Sequence, residues 1–173
     1  MDLFEAIEKR YSHKEKFLPD TVPIEDLKKI AKAGLAAPTG NNTQNVKLVI
    51  LPDKEALKPI SDIVPTDGTK TAPSAIALFT DSIMRGDGHN FDMENYSAAA
   101  QNILLAVTAL GYASVWLDYP FFNEDTQKKA LKLFNAPPGY RLHVLFPIGK
   151  PDGEGTRRCK LSYEERFFIN KFM

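Results

Sequence analysis

A short basic segment near the amino terminus has the composition of a phosphate-binding site. Arg10-Tyr11-Ser12-His13-Lys14, hereafter the basic segment, places two cations, a hydroxyl and a phenol within five residues. These groups could bind a phosphate through charge-assisted hydrogen bonds. The segment follows a helix-period pattern, so a solvated, charged helix end is the alternative interpretation.

A second polar cluster, Pro38-Thr39-Gly40-Asn41-Asn42-Thr43-Gln44-Asn45, is hereafter the amide loop. Pro38 ends any preceding helix, and Gly40 and Asn41 tolerate positive φ, so the chain can turn tightly here while presenting its side-chain amides. Such a loop suits a flat ligand with a polar edge. An ordinary connection between a helix and a strand, built of turn-forming residues, is the alternative.

Familiar catalytic and metal-binding motifs do not occur in the sequence. His13, His89 and His143 lie outside H-x-x-x-H or H-E-x-x-H spacing, and Cys159 is the single cysteine, so we expect no metal site. Neither a G-x-S-x-G elbow nor a P-loop or Rossmann glycine pattern is present. If the protein is an enzyme, we expect a bound cofactor to supply the reactivity, and we name no catalytic side chain.

Composition limits the class of protein. The chain has 173 residues, 43% of them hydrophobic, and 22 basic against 22 acidic residues, so we expect one domain and neither nucleic acid nor a membrane surface as partner. The longest apolar stretch, 98–110, is shorter than the ~20 residues of a membrane span. The amino terminus lacks the features of a secretory signal, and one cysteine suits a reducing compartment, so we expect a cytoplasmic protein.

Apolar periodicity predicts helices alternating irregularly with about four strands. The predicted helices cover residues 3–11, 24–35, 54–63, 92–110 and 124–134, the last with Asn123 as its N-cap. The predicted strands cover residues 46–51, 75–80, 113–117 and 141–146, and residues 64–71 and 82–90 are predicted loops. No composition break divides the chain, so we expect a single α+β domain over residues 1–173, a central sheet covered by helices.

Two segments suggest a homodimer. The helix over 92–110 is apolar nearly all round, so we expect it to be buried, more completely than one small domain allows. Gln101 and Asn102 within it need partners, and neighbouring backbone is the favoured one. The tail, residues 152–173, carries apolar side chains that should dock on the core or on a second subunit: Leu161, Phe167, Phe168, Ile169 and Phe172.

Four blocks in order resemble the nitroreductase-like family of flavin mononucleotide (FMN) proteins. The first three are the basic segment, the amide loop and the helical block 98–112. The fourth consists of two segments, Trp116-Leu117-Asp118, hereafter the edge segment, and Pro147-Ile148-Gly149-Lys150-Pro151. The resemblance implies a nitroreductase-like fold with a mainly antiparallel sheet flanked by helices. It also implies a homodimer whose flavin sites lie at the subunit interface, with a C-terminal extension wrapping the partner.

The resemblance also implies which residues hold the cofactor. In the family the first block grips the FMN phosphate and ribityl chain, the loop meets flavin across the dimer interface, and backbone amides near the edge segment approach flavin N5. Arginines returning from the tail suit the phosphate or the N1 and O2 edge, although Arg157 and Arg158 cannot be ranked. The implied residues are Arg10, Tyr11, Ser12, Lys14, Pro38, Thr39, Asn42, Gln44, Trp116, Leu117, Asp118, Arg157 and Arg158.

The activity implied is hydride transfer from NADH or NADPH through flavin N5 to nitroaromatic, quinone or similar small acceptors by a ping-pong scheme. Two alternatives are a flavin-binding protein without nicotinamide turnover (a carrier, a flavin-consuming enzyme or a redox sensor) and an interaction module that has lost the cofactor. Asn41 replaces a common family glycine, and Asn45-Val46 replaces proline-tryptophan. With the short chain, these departures favour an open, permissive substrate pocket.

Overall fold

The computed structural model describes residues 1–81 and 90–172. The predicted connection over 82–90 therefore lies, up to His89, outside the described residues. The helices are α1 Leu3–Lys9, α2 Ile24–Leu35, α3 Lys54–Ile63, α4 Asp67–Thr71, α5 Asp92–Ala109 and α6 Glu124–Leu133, with 3-10 turns at Gly40–Asn42 and Tyr119–Phe122. The strands are β1 Val46–Leu51, β2 Ser74–Asp81, β3 Ala113–Ser114 and β4 Tyr140–Gly149.

The four strands form one sheet in the order β1-β2-β4-β3, and each neighbouring pair is antiparallel. Alternate residues of β2 face opposite sides of the sheet. Ile76 and Leu78 pack with buried residues of α2 and α5, whereas Ala77 and Phe79 pack with those of α3 and α6. Helices therefore cover both faces, which confirms the predicted α+β architecture.

Side-chain caps begin four of the described helices, α1, α3, α4 and α6. Asp2, Asp53 and Asn123 each accept a hydrogen bond from the backbone N–H three residues ahead, which satisfies one of the unpaired donors of a helix start. The predicted N-cap role of Asn123 is confirmed. The prediction that residues 64–71 form only a loop was wrong, because Thr66 and Thr69 exchange side-chain hydrogen bonds with each other's backbone and so begin α4.

The third strand is shorter than predicted. β3 ends at Ser114, whose carbonyl accepts the His13 N–H at 2.9 Å, so the basic segment runs beside it. Leu117 pairs again with Leu145, but as an isolated bridge. Strand β4 extends beyond the predicted limit to Gly149.

Helix α5 is only partly buried in the single chain. Its more complete burial was predicted for a dimer and stays a prediction. Its buried residues form one stripe: Asn95, Ala99, Ala100, Ile103, Leu104 and Val107. Gln101 is exposed, and Asn102 donates to the Ala33 carbonyl at 3.1 Å, a backbone partner as expected. Among the described residues, no helix is long and apolar enough to cross a membrane.

The tail does not bury its apolar side chains on this chain's own core. Leu161, Phe167, Ile169 and Phe172 are each more than 60% exposed, and Phe168 is 38% exposed. The core, one of the two docking sites expected for the tail, therefore does not cover these side chains. The outer faces of α1 and α2 also leave large apolar side chains exposed, Phe4 at 76% and Leu35 at 55%.

Candidate functional site

A cationic pocket of about 880 Å³ lies between the end of α1 and the tail. The basic segment forms one wall, and residues 156–166 form the other. The pocket is lined by two carboxylates, Glu8 and Glu15, and by six cationic side chains: Arg10, Lys14, Arg157, Arg158, Lys160 and Arg166. In a chain with no net charge, this excess of positive charge suits a phosphate-bearing ligand.

The basic segment is fixed against the sheet. The backbone of Ser12 pairs with Ser114 in a parallel bridge, and the side chain of His13 is fully buried. His13 Nε2 lies 2.8 Å from the Lys16 carbonyl, which can only accept, so this nitrogen bears the proton. The imidazole ring also contacts Tyr11 and Phe17 edge to face. A buried histidine thus holds the backbone from which Arg10 and Lys14 extend.

The cationic side chains of the pocket differ in whether they already hydrogen bond to other groups of the protein. Arg157 donates to the Lys9 carbonyl at 3.0 Å and to the Glu8 carbonyl at 3.5 Å. Within the described part of the chain, the side chains of Arg10, Lys14 and Arg158 make no hydrogen bond or ion pair. These three cations are therefore available to an anionic ligand.

The amide loop turns through three left-handed residues. Asn41, Asn42 and Gln44 have φ of 52°, 55° and 50°, a region that asparagine tolerates better than most residues. Of the two residues expected to tolerate positive φ, Asn41 adopts it and Gly40 does not. Gly40 is instead needed for close approach, because a Cβ there would lie 2.4 Å from the Phe91 ring.

Asn95 of α5 fixes the amide loop by hydrogen bonds to three of its residues. This buried side chain accepts the Gly40 N–H at 2.7 Å and donates to Thr43 Oγ1 at 3.1 Å and Asn45 Oδ1 at 2.9 Å. The loop therefore has a fixed shape despite its turn-rich sequence. Thr39 and Gln44 line a separate concavity of about 390 Å³ beside α2 and α5.

The edge segment follows β3 and lies on the aromatic part of the core. Trp116 Nε1 donates to Asp118 Oδ2 at 2.9 Å, and the indole packs near Tyr96 and Phe146. The Leu117 N–H already donates a hydrogen bond to the Leu145 carbonyl at 3.2 Å. Among the described residues, the Asp118 N–H has no acceptor, so it is the amide of this pair that a ligand could use.

Burial shifts the pKa values of three groups near these segments. It lowers the pKa of His143 from 6.5 to about 4, with Arg141 acting in the same direction. The neutral imidazole stacks on Tyr96 with ring centroids 4.2 Å apart and hydrogen bonds Thr80. Burial also raises the pKa of the Tyr11 and Tyr96 phenols, so both remain protonated near neutral pH.

The structure brings together about half of the residues proposed from the sequence. Those lining the cationic pocket are Arg10, Tyr11, Ser12, Lys14, Arg157 and Arg158. Thr39 and Gln44 line the second concavity, while Pro38, Asn42 and the edge segment line neither. On one chain, therefore, the predicted residues occupy more than one surface.

Sequence reasoning missed Lys160, Arg166 and Asn95. The first two lie in the tail, where no periodic pattern fixes which side chains face the pocket. Asn95 had a detectable signal, because it precedes Ala99 by one helical turn and so falls on the buried stripe of α5. No group of three His, Cys, Asp or Glu residues that could hold a metal occurs in the part of the chain described.

The model of the nitroreductase family matches residues 7–81 and 64–150 of this sequence. The chain belongs to the nitroreductase family. A relative in Methanothermobacter thermautotrophicus, named for NADH dehydrogenase/NAD(P)H nitroreductase activity, is 32% identical over 160 residues, covering 91% of this chain and 82% of its own. A relative of the same name in Archaeoglobus fulgidus is 33% identical over 133 residues, 75% of each chain.

Solved structures of nitroreductase-family proteins have the same fold. A protein of Bacteroides thetaiotaomicron, again named for NADH dehydrogenase/NAD(P)H nitroreductase activity, has a TM-score of 0.82, 26% identity and 98% coverage of both chains. An FMN-dependent nitroreductase of Clostridium difficile has a TM-score of 0.80 at 26% identity, covering 98% of this chain and 99% of its own. The family and fold inferred from the four sequence blocks are thereby confirmed.

Proposed function

We propose that the protein is an FMN-dependent oxidoreductase that takes hydride from NADH or NADPH and passes it to nitroaromatic, quinone or similar electron-poor acceptors in a ping-pong cycle. Membership of the nitroreductase family supports oxidoreductase chemistry in general. The observation that carries the proposal for this chain is the cationic pocket, where Arg10, Lys14 and Arg158 have no protein partner among the described residues.

The pocket fits the phosphate end of FMN. Arg10, Lys14 and Arg158 can each donate charge-assisted hydrogen bonds to phosphate oxygens, with the Ser12 hydroxyl as a neutral donor. The Tyr11 phenol, whose pKa is raised by burial, stays protonated and can donate as well. Because the site binds an anion mainly through charge, affinity should fall as salt concentration rises.

When bound, FMN supplies the two-electron chemistry by accepting hydride from reduced nicotinamide and giving it to the acceptor. The protein's task is to hold and orient the ring. The Asp118 N–H, which has no acceptor among the described residues, is one backbone donor of the edge segment available to it. The side-chain amides of Asn42 and Gln44 suit the polar edge of the ring. Hydride transfer through the flavin needs no side chain to act as general acid or base.

We propose a homodimer in which the amide loop of the partner completes each site. On one chain, Gln44 and Ser12 line different concavities, so one protomer does not join the two groups. The exposed apolar side chains of the tail and of the outer helices provide a surface that a second copy could cover. The tail would then wrap the partner, as the resemblance implied.

An absorption spectrum of freshly purified protein, recorded anaerobically before and after NADH or NADPH, tests the proposal. The expected result is a flavin spectrum that bleaches on addition of reduced nicotinamide and returns on addition of a quinone. A flavin spectrum that neither nicotinamide bleaches would instead indicate a flavin-binding protein without nicotinamide turnover. A protein that stays colourless after incubation with FMN would contradict both.

A further inference from the structure

We propose that Arg157, Tyr11 and Gly155 form a clamp that fixes the tail to the end of α1. In this assignment Arg157 is a positioning residue, and its neighbours Arg158 and Lys160 are the tail cations left for the anionic ligand. The effect on FMN rests on the proposed function, whereas the clamp itself does not. The assignment also separates two adjacent arginines that the sequence alone could not rank.

Arg157 caps a helix from which it is distant in sequence. Its Nη2 and Nη1 donate to the carbonyls of Lys9 and Glu8, the last two residues of α1. Carbonyls at a helix C-terminus lack partners within the helix and bear partial negative charge. A guanidinium can satisfy two of them at once, so these bonds tie the tail to the helix that leads into the basic segment.

Tyr11 provides the second part of the clamp. The Arg157 guanidinium carbon lies 5.4 Å from the centre of the Tyr11 ring, within the range of a cation–π contact. The tail reaches this position by passing directly over the same ring. A Cβ built on Gly155 would lie 2.0 Å from Tyr11 Cε2, so no residue with a side chain fits there without moving the ring or the tail.

A clamp at residues 155–157 would place the next cations of the tail, Arg158 and Lys160, at the pocket. Arg158 and Lys160 line the same pocket as Arg10 and Lys14, and neither tail side chain makes a hydrogen bond or ion pair within the described residues. The wall of the pocket formed by 156–166 is otherwise exposed to solvent. Within one chain, Arg157 is the side chain of this wall that hydrogen bonds to α1.

Cys159 is the single cysteine and is exposed, so a nitroxide attached to it reports the mobility of the tail in the otherwise intact chain. We would record its electron paramagnetic resonance spectrum in FMN-free protein, comparing Arg157→Gln with Arg158→Gln. Both variants lose one positive charge at adjacent positions. The clamp predicts a restrained spectrum for the wild type and Arg158→Gln, and a largely mobile spectrum for Arg157→Gln.

Gly155→Ala provides a second, uncharged test. The added methyl should displace the tail and mobilise the label, whereas combining it with Tyr11→Leu, which removes the ring, should give little further change beyond Tyr11→Leu alone. Tyr11→Phe keeps the ring and should leave the label restrained. These variants separate contact with the ring from any role of the hydroxyl.

FMN titration then links the clamp to the site. Loss of the clamp should raise the Kd for FMN by about tenfold in Arg157→Gln, with mobility and affinity changing together in Gly155→Ala. A label as restrained in Arg157→Gln as in the wild type, or equally mobile in Arg158→Gln, would overturn the clamp. If the wild type binds no FMN while the mobility pattern holds, the clamp stands and the proposed function fails.

Discussion

Arg10 and Arg157 show how two arginines of one pocket can differ in role. Arg10 follows α1 directly and has no protein partner among the described residues, whereas Arg157 is bound to the carbonyls of Glu8 and Lys9. A guanidinium already engaged in two hydrogen bonds must give them up to bind a ligand. Arg10 is thus the better ligand for a phosphate, although both line the same surface.

Replacing Arg10 by alanine should weaken FMN binding while the fold is retained. A hydrogen bond to a charged group contributes about 1.5–3 kcal/mol, so we expect the Kd to rise roughly 10- to 100-fold. Isothermal titration with FMN measures this, and Lys28→Ala, which removes an exposed cation paired with Glu25, is the matched control. An unchanged Kd for Arg10→Ala would remove this residue from the site.

His143 should make the protein less stable in weak acid. Its pKa is 6.5 when unfolded and about 4 in the fold, so the unfolded chain takes up a proton first as the pH falls. Stability is then lost between about pH 6.5 and pH 4, by about 1–3 kcal/mol once partial solvent screening is allowed for. Urea unfolding at pH 7 and pH 5 should show a smaller loss for His143→Gln than for the wild type; an equal loss would show that His143 is not the cause.

Helix α5 and the amide loop act as one unit through Asn95. A loop containing three left-handed, non-glycine residues is strained in isolation. Asn95 stabilises it by satisfying the Gly40 N–H and two loop side chains from a single buried position. The shape of the loop is therefore determined by a helix that follows it by about fifty residues.

Asn95→Ala should destabilise the fold by about 2–4 kcal/mol, because the buried Asn45 side chain and the half-buried Gly40 N–H and Thr43 hydroxyl lose a hydrogen-bond partner. Urea denaturation gives the free energy of unfolding. Asn102→Ala is the control, since that side chain lies on the same helix and makes one hydrogen bond, to the Ala33 carbonyl, so its loss should cost about 1 kcal/mol. Equal effects of the two substitutions would show that the Asn95 network has no special role.

The proposed homodimer would account for two features of the whole chain. The cationic pocket and the concavity beside the amide loop are separate on a single chain. Large apolar side chains such as Phe4 and Phe172 are exposed, which is unusual for a protein that functions alone. A second copy placed over these surfaces would cover them and could bring a cationic pocket and an amide loop together.

The sequence predicted well what depends on local periodicity and poorly what depends on distant contacts. The bounds of α3 and β1 follow from apolar spacing and match the structure. Helix α4 depends on a reciprocal pair of threonine hydrogen bonds, and the pairing of the basic segment with β3 depends on the hydrogen bond from the His13 N–H to the Ser114 carbonyl. Neither cause has a periodic signature.

The same division applies to the site. The basic segment and the amide loop were identified from residue types that lie close together in sequence. The tail could not be assigned, because the position of Arg157 is set by carbonyls almost 150 residues earlier in the chain. The geometry now distinguishes it from Arg158, which the residue types did not.

The central proposal, that FMN is held between the cationic pocket of one protomer and the amide loop of the other, can be tested with mixed dimers. Arg10→Ala and Gln44→Gly chains carrying different tags would be co-expressed, glycine being chosen because Gln44 has positive φ. Both homodimers should bind FMN weakly. The purified heterodimer should bind one FMN per dimer with wild-type affinity, because one of its sites combines an intact Arg10 with an intact Gln44. A heterodimer without any wild-type site would contradict the account.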